Sequence, residues 1–166
     1  LKMKLNFTNS FLILLICFFS EIALAIPKIG SQAPNLSGIL FSGKKFEINK
    51  MKGENILLNF YSSYSKHCAY EIGSIETFLE RHGSKIKIIY IGVDRPQDKH
   101  RVERMTKIYN IEGLMLNEAI INEGYEKPAR TPRAILIDKA GKVISVNVGA
   151  KTPKYFKELE SFIYNK

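Results

Sequence analysis

The sequence predicts an α/β domain: a mixed central sheet with helices on both faces and a hairpin at its N-terminal end. Three observations carry that prediction. Two compact apolar runs, 55–61 (NILLNFY) and 85–93 (KIKIIYIGV), have the length and apolar character of buried strands. Between them Cys68, Ile72, Ile75 and Leu79 recur at helical spacing as one apolar stripe. Further on, two strand-like runs, 133–138 and 142–148, are joined by Lys139-Ala140-Gly141, a short hairpin turn. At 166 residues and 45% hydrophobic, the chain has room for one domain with a real core, which excludes a disordered or collagenous polymer.

The elements follow in order. Residues 26–43 are punctuated by Pro27, Gly30, Pro34, Gly38 and Gly43 and read as loop, and 44–48 alternate as a short strand. After the strand at 55–61, residues 62–65 break the run, and Ser65 supplies a cap for the helix that carries the Cys68 stripe to about Gly83. The strand at 85–93 leads to a helix at 97–109 with Val102, Met105 and Ile108 inward. Residues 114–128 read as a partly helical excursion before the hairpin. A last helix at 153–164 turns Phe156, Leu159, Phe162 and Ile163 inward. No repeat, low-complexity tract or interdomain linker interrupts this order.

The first 25 residues read differently. Lys2 and Lys4 form a basic start, 11–19 (FLILLICFF) is apolar, and Ala23-Leu24-Ala25 offers small residues where a signal peptidase cuts. A signal peptide over 1–25, followed by a single domain over 26–166, is therefore expected, with an extracytoplasmic, periplasmic location. A membrane anchor is the weaker reading, because the apolar run is short for a span and Glu21 interrupts it. No stable span is expected after cleavage.

The formal charge of +9 suits a nucleic acid, a membrane surface or an acidic partner without choosing among them. Arg95, Lys99, Arg101, Arg104 and Lys107 share their segment with Asp98 and Glu103, the pattern of a solvated face, so no nucleic-acid partner is expected. His82 and His100 have no metal-ligand partners at recognisable spacing, and Cys68 with His67 is too little for a metal site; neither metal nor cofactor is expected. Two cysteines, Cys17 and Cys68, exclude a disulfide-stapled scaffold. Removal of the leader leaves Cys68 alone, and a single thiol in an exported chain is reactive, intermolecular or buried.

Three segments carry a resemblance. Gly30-Ser31-Gln32-Ala33-Pro34-Asn35-Leu36 resembles the G-x-x-A-P-x-F opening of the redoxin group, which includes peroxiredoxins and TlpA/ResA-type thiol-disulfide proteins. Residues 59–71 (NFYSSYSKHCAYE) resemble the TlpA-type segment N-F-W-A-T-W-C-P-P-C-x-x-E. Residues 131–142 (TPRAILIDKAGK) resemble that type's cis-proline segment. The resemblance implies a thioredoxin-like fold and a thiol- or disulfide-containing protein as partner. It implies a site in which Cys68 is the sulfur, Glu71 assists proton transfer, and Thr131 and Pro132 present a strand edge to substrate, with Tyr64 and His67 beside them.

The departure is at Ser65, which stands where the pattern has its first cysteine. A hydroxyl cannot form the disulfide, so a dithiol cycle within one chain is impossible, and exchange through Cys68 needs an external resolving thiol. The start of a helix, with Lys66 and His67 adjacent, favours a thiolate, whereas the apolar stripe favours a buried thiol. Glu71 is either a proton-transfer group or a solvated helix carboxylate. Asn59 resembles the TlpA-type asparagine, and no strong buried base is evident beneath the thiol. Ser65-Lys66-His67-Cys68 with Arg133 also partly resembles a peroxiredoxin site, although Tyr61 stands in place of its proline. Three readings remain: monothiol exchange, a peroxidase using Ser65, Cys68 and Arg133, and a non-catalytic binding module. No motif speaks to oligomeric state.

Overall fold

A computed structural model describes residues 26–121 and 124–165. The expected leader at 1–25 lies outside the described residues. Eight strands and three α-helices follow one another as β1 (Leu36–Ile39), β2 (Lys45–Glu47), β3 (Ile56–Tyr61), α1 (Lys66–His82), β4 (Lys87–Gly92), α2 (Lys99–Tyr109), β5 (Gly113–Met115), β6 (Ile120–Ile121), β7 (Arg133–Ile137), β8 (Val143–Val148) and α3 (Pro153–Tyr164) among the described residues. The main sheet has the order β5-β4-β3-β7-β8. Strands β3, β4 and β5 run parallel, and β7 and β8 are antiparallel to their neighbours. A small antiparallel sheet, β2-β1-β6, contains the expected N-terminal hairpin.

Every residue of β3 is buried, as a central strand covered on both faces requires. Its alternation divides the core. Ile56, Leu58 and Phe60 join Ile135 and Ile137 of β7 on one face; Leu57 and Tyr61 join Ala134, Leu136 and Cys68 on the other. All three α-helices cover this second face through Ile72, Ile75, Val102, Tyr155, Leu159 and Ile163. The step from β3 to β4 and the step from β4 to β5 go the same way along the sheet, so right-handed crossovers put α1 and α2 together. The first face is covered by Leu36, Leu40 and Phe46 of the hairpin region, by the 3-10 turns Ile48–Lys50 and Leu116–Glu118, and by Tyr125. Both faces carry a layer, but the helical cover of the first face consists of these short turns.

Several local expectations are corrected. Strand β1 lies inside the segment expected to be loop. The segment expected to be partly helical instead adds β5 to the sheet edge and β6 to the small sheet, linked by one 3-10 turn. Strands of three and two residues are too short to show a period. Ile108, expected inward, is 68% exposed, and Thr106 takes the buried place. The cause is close packing of α2 on β4 and β5: a Cβ at Gly92 would lie 2.5 Å from Val102 Cγ1, and one at Gly113 would lie 3.3 Å from Thr106 Cγ2. In α3, Tyr155 is buried while Phe156 and Phe162 are only partly so.

Candidate functional site

The site forms where β3 gives way to α1. The connecting loop is tied down by Asp94, just beyond β4, whose carboxylate accepts from Ser63 N at 3.0 Å, Ser63 Oγ at 2.8 Å and Ser62 Oγ at 3.3 Å. Tyr64 is exposed, but its hydroxyl donates to Asp98 Oδ1 at 2.8 Å and Arg101 stacks 4.0 Å from its ring centroid. That hydrogen bond raises the Tyr64 pKa and is the first cause of a lowered Asp98 pKa. A cleft of about 250 Å³ opens beside it, between Tyr64, Arg95, Asp98, Lys127 and Thr131.

Ser65 is the N-cap of α1, and its Oγ accepts from the Cys68 N–H at 3.3 Å. Hydroxyl capping of this kind satisfies an otherwise orphaned donor and fixes the first turn. His67 points to the exposed side, whereas Cys68 is 0% exposed among Leu57, Tyr61, Ile72, Ala134 and Tyr155. The Thr131–Pro132 peptide bond is cis. The register that pairs Phe60 with Arg133 brings this segment level with the end of β3, and so with the start of α1. Pro132 O accepts from Gly149 N–H at 2.8 Å.

Glu71 is not the solvated carboxylate the sequence allowed. It is buried one helical turn after Cys68, with Oε1 accepting from Asn59 Nδ2 at 3.1 Å. Its Oε2 accepts from Lys151 N at 3.1 Å and Lys151 Nζ at 3.4 Å. The two side chains are 1% and 3% exposed. Burial raises the Glu71 pKa against the opposing effect of Lys151, and burial lowers the Lys151 pKa against the opposing effect of Glu71. A buried carboxylate therefore does lie one helical turn from Cys68, where no strong buried base was evident in the sequence. Lys151 was missed altogether. It follows Gly149-Ala150 and precedes a capped helix, where a lysine reads as solvated. Asn59 left a usable signal, because a polar residue inside an otherwise apolar buried strand requires a partner.

Arg133 corrects the other way. It is 5% exposed, but it lies on the sheet face opposite Cys68, sharing that face with Ile135 and Ile137. Its guanidinium stacks 4.7 Å from the Phe60 centroid and donates through Nη2 to Glu126 O at 3.0 Å. Side chains alternate along a strand, so one residue of register decides the face. The structure thus brings Ser65, Cys68 and Glu71 together, adds Asn59 and Lys151, and leaves Arg133 outside.

The family model "Redoxin" matches residues 28–163. The chain is 26% identical over 137 residues to the thiol-disulfide oxidoreductase ResA of Bacillus cereus, covering 82% of this chain and 77% of that one. It is 24% identical over 131 residues to the thioredoxin-like protein YneN of Bacillus subtilis, covering 78% and 76%. Among solved structures, a thiol:disulfide interchange protein of the thioredoxin family from Chlorobium tepidum superposes with a TM-score of 0.67 at 22% identity, over 82% of this chain and 97% of that one. The thioredoxin domain of a thiol-disulfide oxidoreductase from Bacteroides vulgatus gives 0.66 at 19%, over 82% and 98%. These superpositions show a thioredoxin-like fold.

Proposed function

The chain belongs to the Redoxin family, and from that premise we propose that it is an exported monothiol participant in thiol-disulfide exchange, with Cys68 as its working sulfur. Relatives that bear the name thiol-disulfide oxidoreductase support the reaction class. In the forward step the Cys68 thiolate attacks one sulfur of a partner's disulfide. A mixed disulfide forms, and the partner's second sulfur leaves as thiolate. An external thiolate then attacks that mixed disulfide and returns Cys68, since Ser65 has no sulfur to resolve it. Ser65 keeps the cap, Glu71 takes the Cys68 proton, and Thr131 and Pro132 offer the edge where an extended partner segment pairs. Tyr64 and His67 form the exposed rim.

The observation that carries this reading is the buried Glu71, tied to Asn59 and Lys151 one turn from the thiol. Taking two charges out of water costs several kcal/mol, and apolar residues would fill the same space at less cost. A second reading, a binding module that keeps the groove without the chemistry, is favoured by the complete burial of Cys68. A peroxidase using Arg133 is disfavoured because that guanidinium faces away.

The test treats the folded full chain with oxidised glutathione and maps adducts by peptide mass spectrometry. Exchange predicts an adduct on the Cys68 peptide under native conditions, reversed by added thiol. An adduct that forms only in denaturant would sink exchange in favour of the binding module. Export is supported by the basic start, the apolar run and Ala23-Leu24-Ala25. It predicts a mature N-terminus at Ile26 in an extracytoplasmic fraction, and an uncleaved cytosolic chain would refute it.

A further inference from the structure

Burial removes the solvent that ordinarily accepts a thiol proton and screens a thiolate, so both tasks fall to groups inside the protein. The groups facing Cys68 and Glu71 come from every element packed around them. Tyr61 comes from β3, Tyr90 from β4 with its hydroxyl on Glu76 of α1 at 2.9 Å, Tyr155 from α3, and Lys151 from the segment between β8 and α3. Burial raises all three tyrosine pKa values, so these phenols stay neutral. Among the described residues, the cation in this cluster is Lys151.

Its placement is determined from several sides. Lys151 Nζ donates to Gly149 O at 3.0 Å and lies 5.5 Å from the Tyr155 centroid, while Lys151 N holds Glu71 Oε2. Gly149 N–H in turn holds Pro132 O. The short segment 149–151 therefore straps the Glu71 carboxylate to the cis-proline edge. Lys151 is tied to Cys68 through its neighbours: Glu71, which its ammonium reaches, stands one helical turn after Cys68, and Tyr155, which the ammonium faces, belongs to the same buried cluster as Cys68. Lys151 also borders a groove of about 490 Å³ between α1 and α3, although its side chain and that of Glu71 remain buried.

We propose that Lys151 is a positioning residue for the thiol: its ammonium holds Glu71 in place and supplies the positive charge that a buried Cys68 thiolate needs. The proton balance is simple. Before transfer the site holds a Cys68 thiol, a Glu71 carboxylate and a Lys151 ammonium; after transfer it holds a thiolate, a neutral Glu71 and the same ammonium. Net charge is unchanged, and the cation exchanges one anionic partner for the other. The inference rests on the reading of Cys68 as the working sulfur.

The test is the pH dependence of iodoacetamide alkylation in the full chain, read on the Cys68 peptide so that Cys17 does not contribute. Lys151→Met is expected to move the midpoint upward by about one unit, the lower end of what a neighbouring opposite charge produces. Lys151→Arg keeps the wild-type midpoint, and in Glu71→Gln the midpoint does not rise. Where Lys151→Met alone does not fold, the doubly neutral Glu71→Gln/Lys151→Met variant replaces it. Compared with Glu71→Gln, its midpoint rises by the same unit, because that comparison removes the same cation. A merely structural lysine would instead expose the thiol, so that Lys151→Met and Glu71→Gln both alkylate faster with an unshifted midpoint. An unmoved midpoint on loss of the cation, in either background, overturns the proposal. Alkylation needs no disulfide partner, so a shifted midpoint without glutathione adducts would retain Lys151's role while refuting exchange.

Discussion

Removing Lys151 should destabilise the fold by an amount that depends on pH, and the dependence identifies the cause. With both side chains almost wholly buried, Lys151→Met leaves Glu71 as an unpaired buried carboxylate. Breaking a buried pair on one side costs roughly 3–5 kcal/mol. Glu71 has an escape, because it can take up a proton. An ordinary glutamate titrates near pH 4.3, so protonating one at pH 7 costs about 1.4 kcal/mol for each of roughly 2.7 units, which caps the penalty at about 4 kcal/mol. At about pH 5 the same arithmetic caps it near 1 kcal/mol. Urea unfolding of wild type and variant at both values reads the difference directly. A loss of about 3 kcal/mol near neutrality, corresponding to roughly 6–12 °C in Tm for a domain of this size, should shrink by more than half in acid. The Glu71→Gln/Lys151→Met variant should lie close to wild type and show no such slope. A loss of equal size at both pH values would refute the electrostatic argument and assign the effect to packing of the lysine stem on Tyr155.

Glu71→Gln should flatten the acid side of the stability profile. The folded chain holds the Glu71 proton more tightly than the unfolded chain, so wild type loses stability as pH rises from the ordinary glutamate range through the raised value, as thermal melts across that window will record. Ser65→Cys restores a second sulfur at the cap and should gain catalytic disulfide reduction, measured by insulin turbidity with a thiol reductant, at a stability cost of about 0.5–2 kcal/mol for the weakened cap. A variant with no gain would favour the binding module. Arg133→Ala should lower stability by about 1–2 kcal/mol through the lost stacking on Phe60, yet leave Cys68 adduct formation and its rate with hydrogen peroxide unchanged. Gly113→Ala places a Cβ 2.8 Å from Tyr90 O and should cost about 1–3 kcal/mol by urea titration, because the obstacle is backbone and cannot rotate away.

The features legible in the sequence are those that a short window encodes. The buried β3, the stripe on α1, the Ser65 cap and the β7–β8 turn each follow from local periodicity or from one residue's chemistry. Strands β5 and β6 escape that reading because their pairing partners, not their own composition, make them strands. The buried side of α2 was misassigned by one residue for a related reason: hydrophobicity favours Ile108, but the glycines at positions 92 and 113 decide which side of the helix can approach the sheet. Arg133 shows the same limit at the site. Its place at the start of a strand was readable, whereas the face depended on register against β3.

Glu71 marks the limit most sharply, because its state is set by a residue eighty positions away. A glutamate on a helix is solvated by default, and here its burial against Asn59 and Lys151 reverses that expectation. At Cys68 itself, the helix start and the apolar stripe favour different states of the sulfur. The structure shows both features: the Cys68 backbone N–H donates to the Ser65 cap, and the side chain is fully covered. A covered thiol cannot rely on water for ionisation, and in the proposed exchange that task falls to the Glu71 carboxylate and the Lys151 ammonium. Ser65 leaves no second thiol in the site to react first, so a disulfide must reach Cys68 itself in the folded chain, and native-state adduct formation on the Cys68 peptide is the outcome that separates exchange from the binding module.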